Sequence, residues 1–527
     1  CYAIPLKDTI VESEYVTGEI SPKSLNLKPY INISQQKILE KRKSFYPNIY
    51  EKKFVHKNNN VKVSNNGINT SSKDTAILNN IVIYIRFSDQ TEFPANQTTY
   101  SSMFNETTGE VNSLRNYFNE VSYNKLDISS TFYPTNNGTT IISYQDIHIR
   151  DYYIKYSSTN DSGFTKYSEL IYREHSLLKR AITFVKSQID STLNFDYDND
   201  GNVDNVCFII RGGISTWSSI LWPHKWALYS SDEYINGKKV FNYNLHIEDI
   251  LTYEGVGVLA HEMFHTIGAE DLYHYNNDGN QPVGNWDIME NAKNPPQHMS
   301  TYMKAKYGGW ITSVPVINST GTYILNPITA SSNNCYKLLL KGTTHYLLLE
   351  YRKKYGTFEN SIPQSGLIIY RINPNIDGNA YGAGPGGASD EVYAFRLNGS
   401  LTIEGEINEA YFSDKIGRQV FTNTSNPFGF QYNGNFCNIF IKNIYEINNT
   451  ISFDVRFCDN DNIVYSNTNN LPVLTNVSNS ITTFNTVSVK NTDNVIFEAA
   501  NEITLNPDFE VQQGGDFEMS IFGCILK

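Results

Sequence analysis

The chain has 527 residues, enough for several domains, and its 40% hydrophobic and 13% aromatic content is that of a globular protein. A net charge of −12 excludes nucleic acid as the main partner, since a polyanion needs a basic face, and no apolar run reaches membrane-spanning length. The cysteines (Cys1, Cys207, Cys335, Cys437, Cys458, Cys524) show no Cys-x-x-Cys spacing, which excludes a cysteine zinc site and a dense disulfide scaffold; at most a few bridges are expected.

Residues 1–76 show little apolar periodicity and end in a polar tract holding Asn59-Asn60, Asn65-Asn66-Gly67 and Ser71-Ser72, the composition of a linker. Residues 38–43 read as a short basic helix. Cys1 fits two readings, a lipidated residue left by lipoprotein processing or a plain cleavage boundary. Residues 80–87 are a β-branched run bounded by turn residues, which predicts a buried strand. Leu114, Tyr117, Phe118 and Val121 recur at helical spacing, and a strand is predicted over 127–132. Residues 167–189 set Leu170, Ile171, Leu177, Leu178, Ile182 and Val185 along one side of a long amphipathic helix.

Asp196, Asp198, Asp200, Asn202 and Asp204 then alternate along a turn in which Gly201 permits a tight bend, the pattern of an EF-hand-type loop that converges on Ca²⁺. Cys207 stands where the terminal bidentate glutamate belongs, so the loop is truncated or completed from elsewhere, and its role is structural. An acidic solvated turn is the alternative. Residues 206–213 predict the next buried strand.

The most informative stretch is His261-Glu262-Met263-Phe264-His265-Thr266-Ile267-Gly268-Ala269-Glu270-Asp271. Histidines at i and i+4 share one face of a helix and can reach one metal ion. Glu262 can take a proton from a water in the open coordination position, Gly268 stops the helix, and the following turn delivers Asp271. With 10 histidines in 527 residues, a chance His-Glu-x-x-His is on the order of one in a hundred.

Followed by Trp286-Asp287-Ile288-Met289, this stretch resembles the immune inhibitor A family of secreted zinc peptidases, within the metzincin group. The resemblance extends over residues 79–457, through Leu221-Trp222-Pro223-His224-Lys225-Trp226 and Leu349-Glu350-Tyr351-Arg352. It implies an α+β zincin, metzincin-like catalytic domain followed by all-β domains, with Zn²⁺ held by His261, His265 and Asp271 and with Met289 as the Met-turn residue beneath it. It also implies an edge strand within 225–246 on which an extended substrate adds. By position, residues 1–76 resemble a propeptide; a plain extension is the alternative. Tyr302 and Tyr307 are candidates to polarise a scissile carbonyl, with packing as the default, and His224 is read as structural.

The catalytic domain is assigned to 77–313. Residues 314–458 turn to strand patterns and read as a β-sandwich, 459–480 as an Asn/Ser/Thr-rich linker, and 481–527 as a short β-solenoid resembling coathanger-stack repeats. The expected function is a secreted or cell-surface zinc endopeptidase, a monomer acting on proteins or peptides, with attachment through Cys1 or the C-terminal module. The alternatives are a binding or adhesion protein on a zincin scaffold and a glycoprotein-directed peptidase.

Overall fold

A computed structural model describes residues 75–136, 138–213, 221–276, 278–457, 462–477, 479–499 and 501–521. The readings made for Cys1, the short helix at 38–43 and nearly all of the N-terminal extension lie outside these residues.

The first β-branched run forms strand Ala76–Arg86, inside a sheet ordered Leu126–Tyr133, Ala76–Arg86, Val206–Ile210, Asn242–Ile247, His224–Ala227. The first four strands run parallel, and the edge strand His224–Ala227 is antiparallel to its neighbour. Near-continuous apolar strands are what a parallel sheet covered on both faces requires. Successive residues of a strand point to opposite faces, and two neighbours on Asn242–Ile247 show what covers each. Asn244 Nδ2 donates to the Glu262 carbonyl in helix Gly255–Ile267 (3.1 Å), whereas the Tyr243 hydroxyl donates to Glu174 of helix Tyr167–Val185. The long amphipathic helix and the His-Glu-x-x-His helix therefore lie on opposite faces.

The second unit has a five-stranded antiparallel sheet (Cys335–Leu339, Tyr346–Arg352, Gly366–Ile372, Val392–Ala394, Tyr411–Phe412) facing a three-stranded one (Ile439–Ile447, Thr450–Phe457, Gly321–Leu325). Leu347, Leu349, Leu367 and Ile369 share a core with Ile441, Phe453 and Val455 of the opposite sheet. The alternate residues Leu348, Ile368, Tyr370 and Ile372 belong to the core that also holds Phe264 and Trp286. Both faces of the larger sheet are therefore buried, one of them against the first unit. Every residue of Gly366–Ile372 is buried, so this strand has no solvated face that would mark an independent sandwich.

The linker read over 459–480 is corrected by the strands found within it. Asn462–Thr468 and Leu474–Val477 are strands, and they begin two parallel sheets completed by Ser480–Val489, Asn494–Ala499, Glu502–Thr504, Phe509–Val511 and Asp516–Ile521. Ser480 pairs with Glu502, Leu474 with Ile496 and Asn494 with Asp516, a constant step in sequence. Ile481, Val489, Val495 and Phe497 fill the small interior. The Asn, Ser and Thr that suggested a linker occupy turns and outward positions, where Asn479 bridges Asn462 and Asn501 through side-chain hydrogen bonds. Cys207, Cys335 and Cys437 are buried and unbridged, and burial raises each thiol well above its usual range.

Candidate metal centre

Helix Gly255–Ile267 is buried at every position. A Cβ at Gly257 would meet the Lys293 carbonyl at 2.1 Å, so glycine here permits the close approach of segment 291–297. Gly268 ends the helix at φ 115°, its N–H donating to the Phe264 and His265 carbonyls. A buried polar chain fixes the helix against the sheet. Asn205 Nδ2 donates to Asn80 Oδ1 (2.9 Å) and Asn244 Oδ1 (2.7 Å), and Asn244 reaches Thr266 Oγ1 (3.1 Å) as well as the Glu262 carbonyl.

The two histidines present Nε2 atoms 3.1 Å apart, and Asp271 Oδ1 lies 3.3 Å from each. His261 Nδ1 is 2.9 Å from the Ile288 carbonyl, and His265 Nδ1 is 2.7 Å from that of Ala269. A carbonyl only accepts, so in the neutral imidazoles Nδ1 carries the proton and Nε2 offers a lone pair. Three electron-rich atoms converge, all on side chains at most 2% exposed. A tetrahedral Zn²⁺ with ligands at about 2.0–2.1 Å has ligand–ligand edges of about 3.3–3.4 Å, and this triangle matches that size. The residues present fit a zinc ion.

Glu262 is 0% exposed, and neither of its carboxylate oxygens has a hydrogen-bond partner among the described residues. A buried carboxylate without a partner is costly and is not kept for packing. Burial raises its pKa, moving it toward the range where a carboxylate takes and releases a proton near neutrality.

Met289 is fully buried, and its carbonyl accepts from Leu272 N (2.9 Å). Asp287 holds this turn by accepting from Met289 N (2.9 Å) and Ser300 N (2.7 Å), while Trp286 Nε1 donates to the Ile407 carbonyl (2.7 Å). Trp-Asp-Ile-Met thus shapes a turn whose carbonyls hold both His261 and the segment after Asp271.

Other candidates fall elsewhere. The Tyr302 and Tyr307 hydroxyls both donate to Glu391 (2.6 and 2.8 Å), in keeping with the packing role read as their default. His224 contacts Glu174 (3.0 Å) on the face opposite the metal helix. His274 bridges Asp278 (3.1 Å) and Asp390 (2.9 Å). The tyrosine that reaches the site is one the sequence reading passed over: Tyr275, whose hydroxyl donates to Asp271 Oδ2 at 2.5 Å. No local signal marks it, since residues 271–275 form no helix on which a spacing of four would bring the two side chains together.

In the acidic turn, Asp196, Asp198 and Asp204 each bring one oxygen within 4.8 Å of the others. Asp200 does not join them: its carboxylate accepts from Asn202 N and Nδ2, each at 2.7 Å. Lys238 Nζ pairs with Asp196 at 2.7 Å. Burial first, and the neighbouring carboxylates second, push Asp204 up to about 8.

The chain thus combines a mixed α/β unit, bearing a buried two-histidine, one-aspartate cluster, with additional all-β sheets. No family model and no curated protein matches it. Among solved structures it is similar to wild-type OgpA from Akkermansia muciniphila, at 12% identity and a TM-score of 0.25, over 64% of this chain and 87% of that one. It is also similar to catalytically inactive OgpA in complex with an O-glycopeptide substrate, glycodrosocin, at 11% identity and a TM-score of 0.26, over 64% and 86%. Likeness at this level decides neither the fold nor the substrate.

Proposed function

We propose that the chain is a zinc-dependent endopeptidase of zincin type, as its resemblance to the immune inhibitor A family implies. The observation that carries this reading is the convergence of His261 Nε2, His265 Nε2 and Asp271 Oδ1 beside Glu262, which shares the helix of the two histidines and has no hydrogen-bond partner for its carboxylate among the described residues. His261, His265 and Asp271 would hold the ion. When bound, Zn²⁺ supplies Lewis acidity, which makes water a nucleophile near neutral pH and polarises a carbonyl. Glu262 accepts the water's proton and delivers it to the leaving amine. A binding protein would need the ligands but not this base. Among the described residues His224–Ala227 stands at the end of its sheet, and the reading places an extended peptide along this strand.

Both a plain and a glycosylated polypeptide fit this chemistry, since the residues named contact only the reacting peptide group. The test is digestion of an unstructured protein and of an O-glycosylated one, with and without a zinc chelator. Cleavage of either that stops on chelation and returns with Zn²⁺ supports the proposal; persistence of cleavage in the zinc-free chain contradicts it. The reading includes action as a monomer outside the cell or at its surface, and no described helix is long and apolar enough to cross a membrane.

The second part of the reading is a structural Ca²⁺ at Asp196, Asp198 and Asp204. Clustered carboxylates repel until a cation neutralises them, and Lys238 supplies only one charge. Titrating Ca²⁺ into chelator-stripped protein is expected to raise Tm by several degrees, about 1–3 kcal/mol of linkage at saturating ion. An unchanged Tm across the titration counts against the site.

A further inference from the structure

The two oxygens of Asp271 have different surroundings. Oδ1 faces both imidazoles at 3.3 Å, while Oδ2 accepts the Tyr275 hydroxyl at 2.5 Å. Tyr275 is 5% exposed and packs against Tyr273 and Tyr381, with ring centroids 5.5 and 5.8 Å away.

Its backbone is anchored by the β-rich unit. Tyr275 N donates to the Ala380 carbonyl (3.0 Å), and Asn379 N donates to the Asp271 carbonyl (2.7 Å). Asn379 is fully buried; its Nδ2 donates to the Leu272 (3.0 Å) and Val392 (2.8 Å) carbonyls, and its Oδ1 accepts from Val392 N (3.1 Å). Leu272 N is held on the other side by Met289. Segment 271–275 therefore lies clamped between the turn at 287–290 and strand Val392–Ala394 of the second unit. Every amide function of Asn379 is used in that clamp.

We propose that Tyr275, clamped by Asn379, is a positioning residue that makes Asp271 a one-oxygen ligand, an inference that rests on the zinc reading above. A phenol donating to Oδ2 turns that oxygen away from the imidazoles and leaves Oδ1 alone facing them. Chelation through both oxygens is prevented, and a coordination position is left open, as a hydrolytic zinc site requires. The all-β unit is thereby part of the metal centre, supplying the support that orients the third ligand.

The test compares zinc affinity, by competition with a chelator, and the visible spectrum of the cobalt-substituted protein for wild type and Tyr275→Phe. Tyr275→Phe keeps the ring and its packing and removes only the donor. Zinc affinity is expected to fall about 10–100-fold, the cost of losing a group that orients a ligand. The cobalt absorption is expected to weaken as the freed carboxylate binds through both oxygens, and the Tm of the metal-free chain to change little. Wild-type affinity with an unchanged cobalt spectrum in Tyr275→Phe overturns the positioning role while leaving the zinc reading intact. Absence of tight zinc binding in the wild type overturns both. Should Tyr275→Phe fail to fold, Asn379→Ala, which keeps the hydroxyl but frees segment 271–275, is measured the same way, and wild-type affinity there overturns the clamp.

Discussion

Glu262→Ala is expected to keep its zinc and to lose peptide hydrolysis by about 10³-fold or more, since the ligands stay and the group that moves the proton goes. The structure adds an expectation about stability. Because neither Glu262 oxygen has a hydrogen-bond partner among the described residues, truncation breaks no hydrogen bond to them and removes a buried carboxyl, so Tm should hold or rise. Loss of activity with retained metal and undiminished Tm separates a catalytic role from a structural one. Wild-type-like turnover by the purified variant would sink the mechanism.

The second large effect concerns the third ligand. Asp271→Ala should weaken zinc binding by more than the ~10–100-fold typical of an orienting neighbour, because it removes a ligand outright. His274→Ala should behave in the opposite way. His274 bridges Asp278 and Asp390, and those two carboxylates hold it protonated against its burial, pushed up to about 10. Removing it leaves Asp390, which is almost fully buried, without this partner. A cost of about 3–5 kcal/mol is expected for breaking such a pair, so the variant melts lower yet carries its metal. Zinc content measured on both folded variants decides the matter, and loss from His274→Ala with retention in Asp271→Ala would reverse the assignment.

Local signals carried much of this into the sequence. Histidines at i and i+4 share a helix face by geometry alone, and the glycine three residues after the second one takes the left-handed conformation that turns the chain toward Asp271. The β-branched run near residue 80 is a strand because little else suits such a run. What stayed hidden depends on long-range partners. The apolar strand Gly366–Ile372 reads the same whether one or two units cover it, so the shared core could not be seen. Asn462–Thr468 alternates half-buried and exposed residues and carries Asn and Ser, so its composition reads as linker although stacking makes it a strand. Asp200 fits the calcium pattern by spacing, but its carboxylate turns to Asn202 within the bend. The roles of Tyr275 and Asn379 exist only once residues 379–392 fold against residues 271–275.

The central claim is that His261, His265 and Asp271 hold one zinc ion. Crystals of the zinc-loaded chain, with diffraction recorded on both sides of the zinc absorption edge, test it most directly. The account predicts one strong anomalous peak within about 2.0–2.2 Å of His261 Nε2, His265 Nε2 and Asp271 Oδ1. A folded, zinc-saturated chain with no peak there, or with its zinc on other residues, would contradict it.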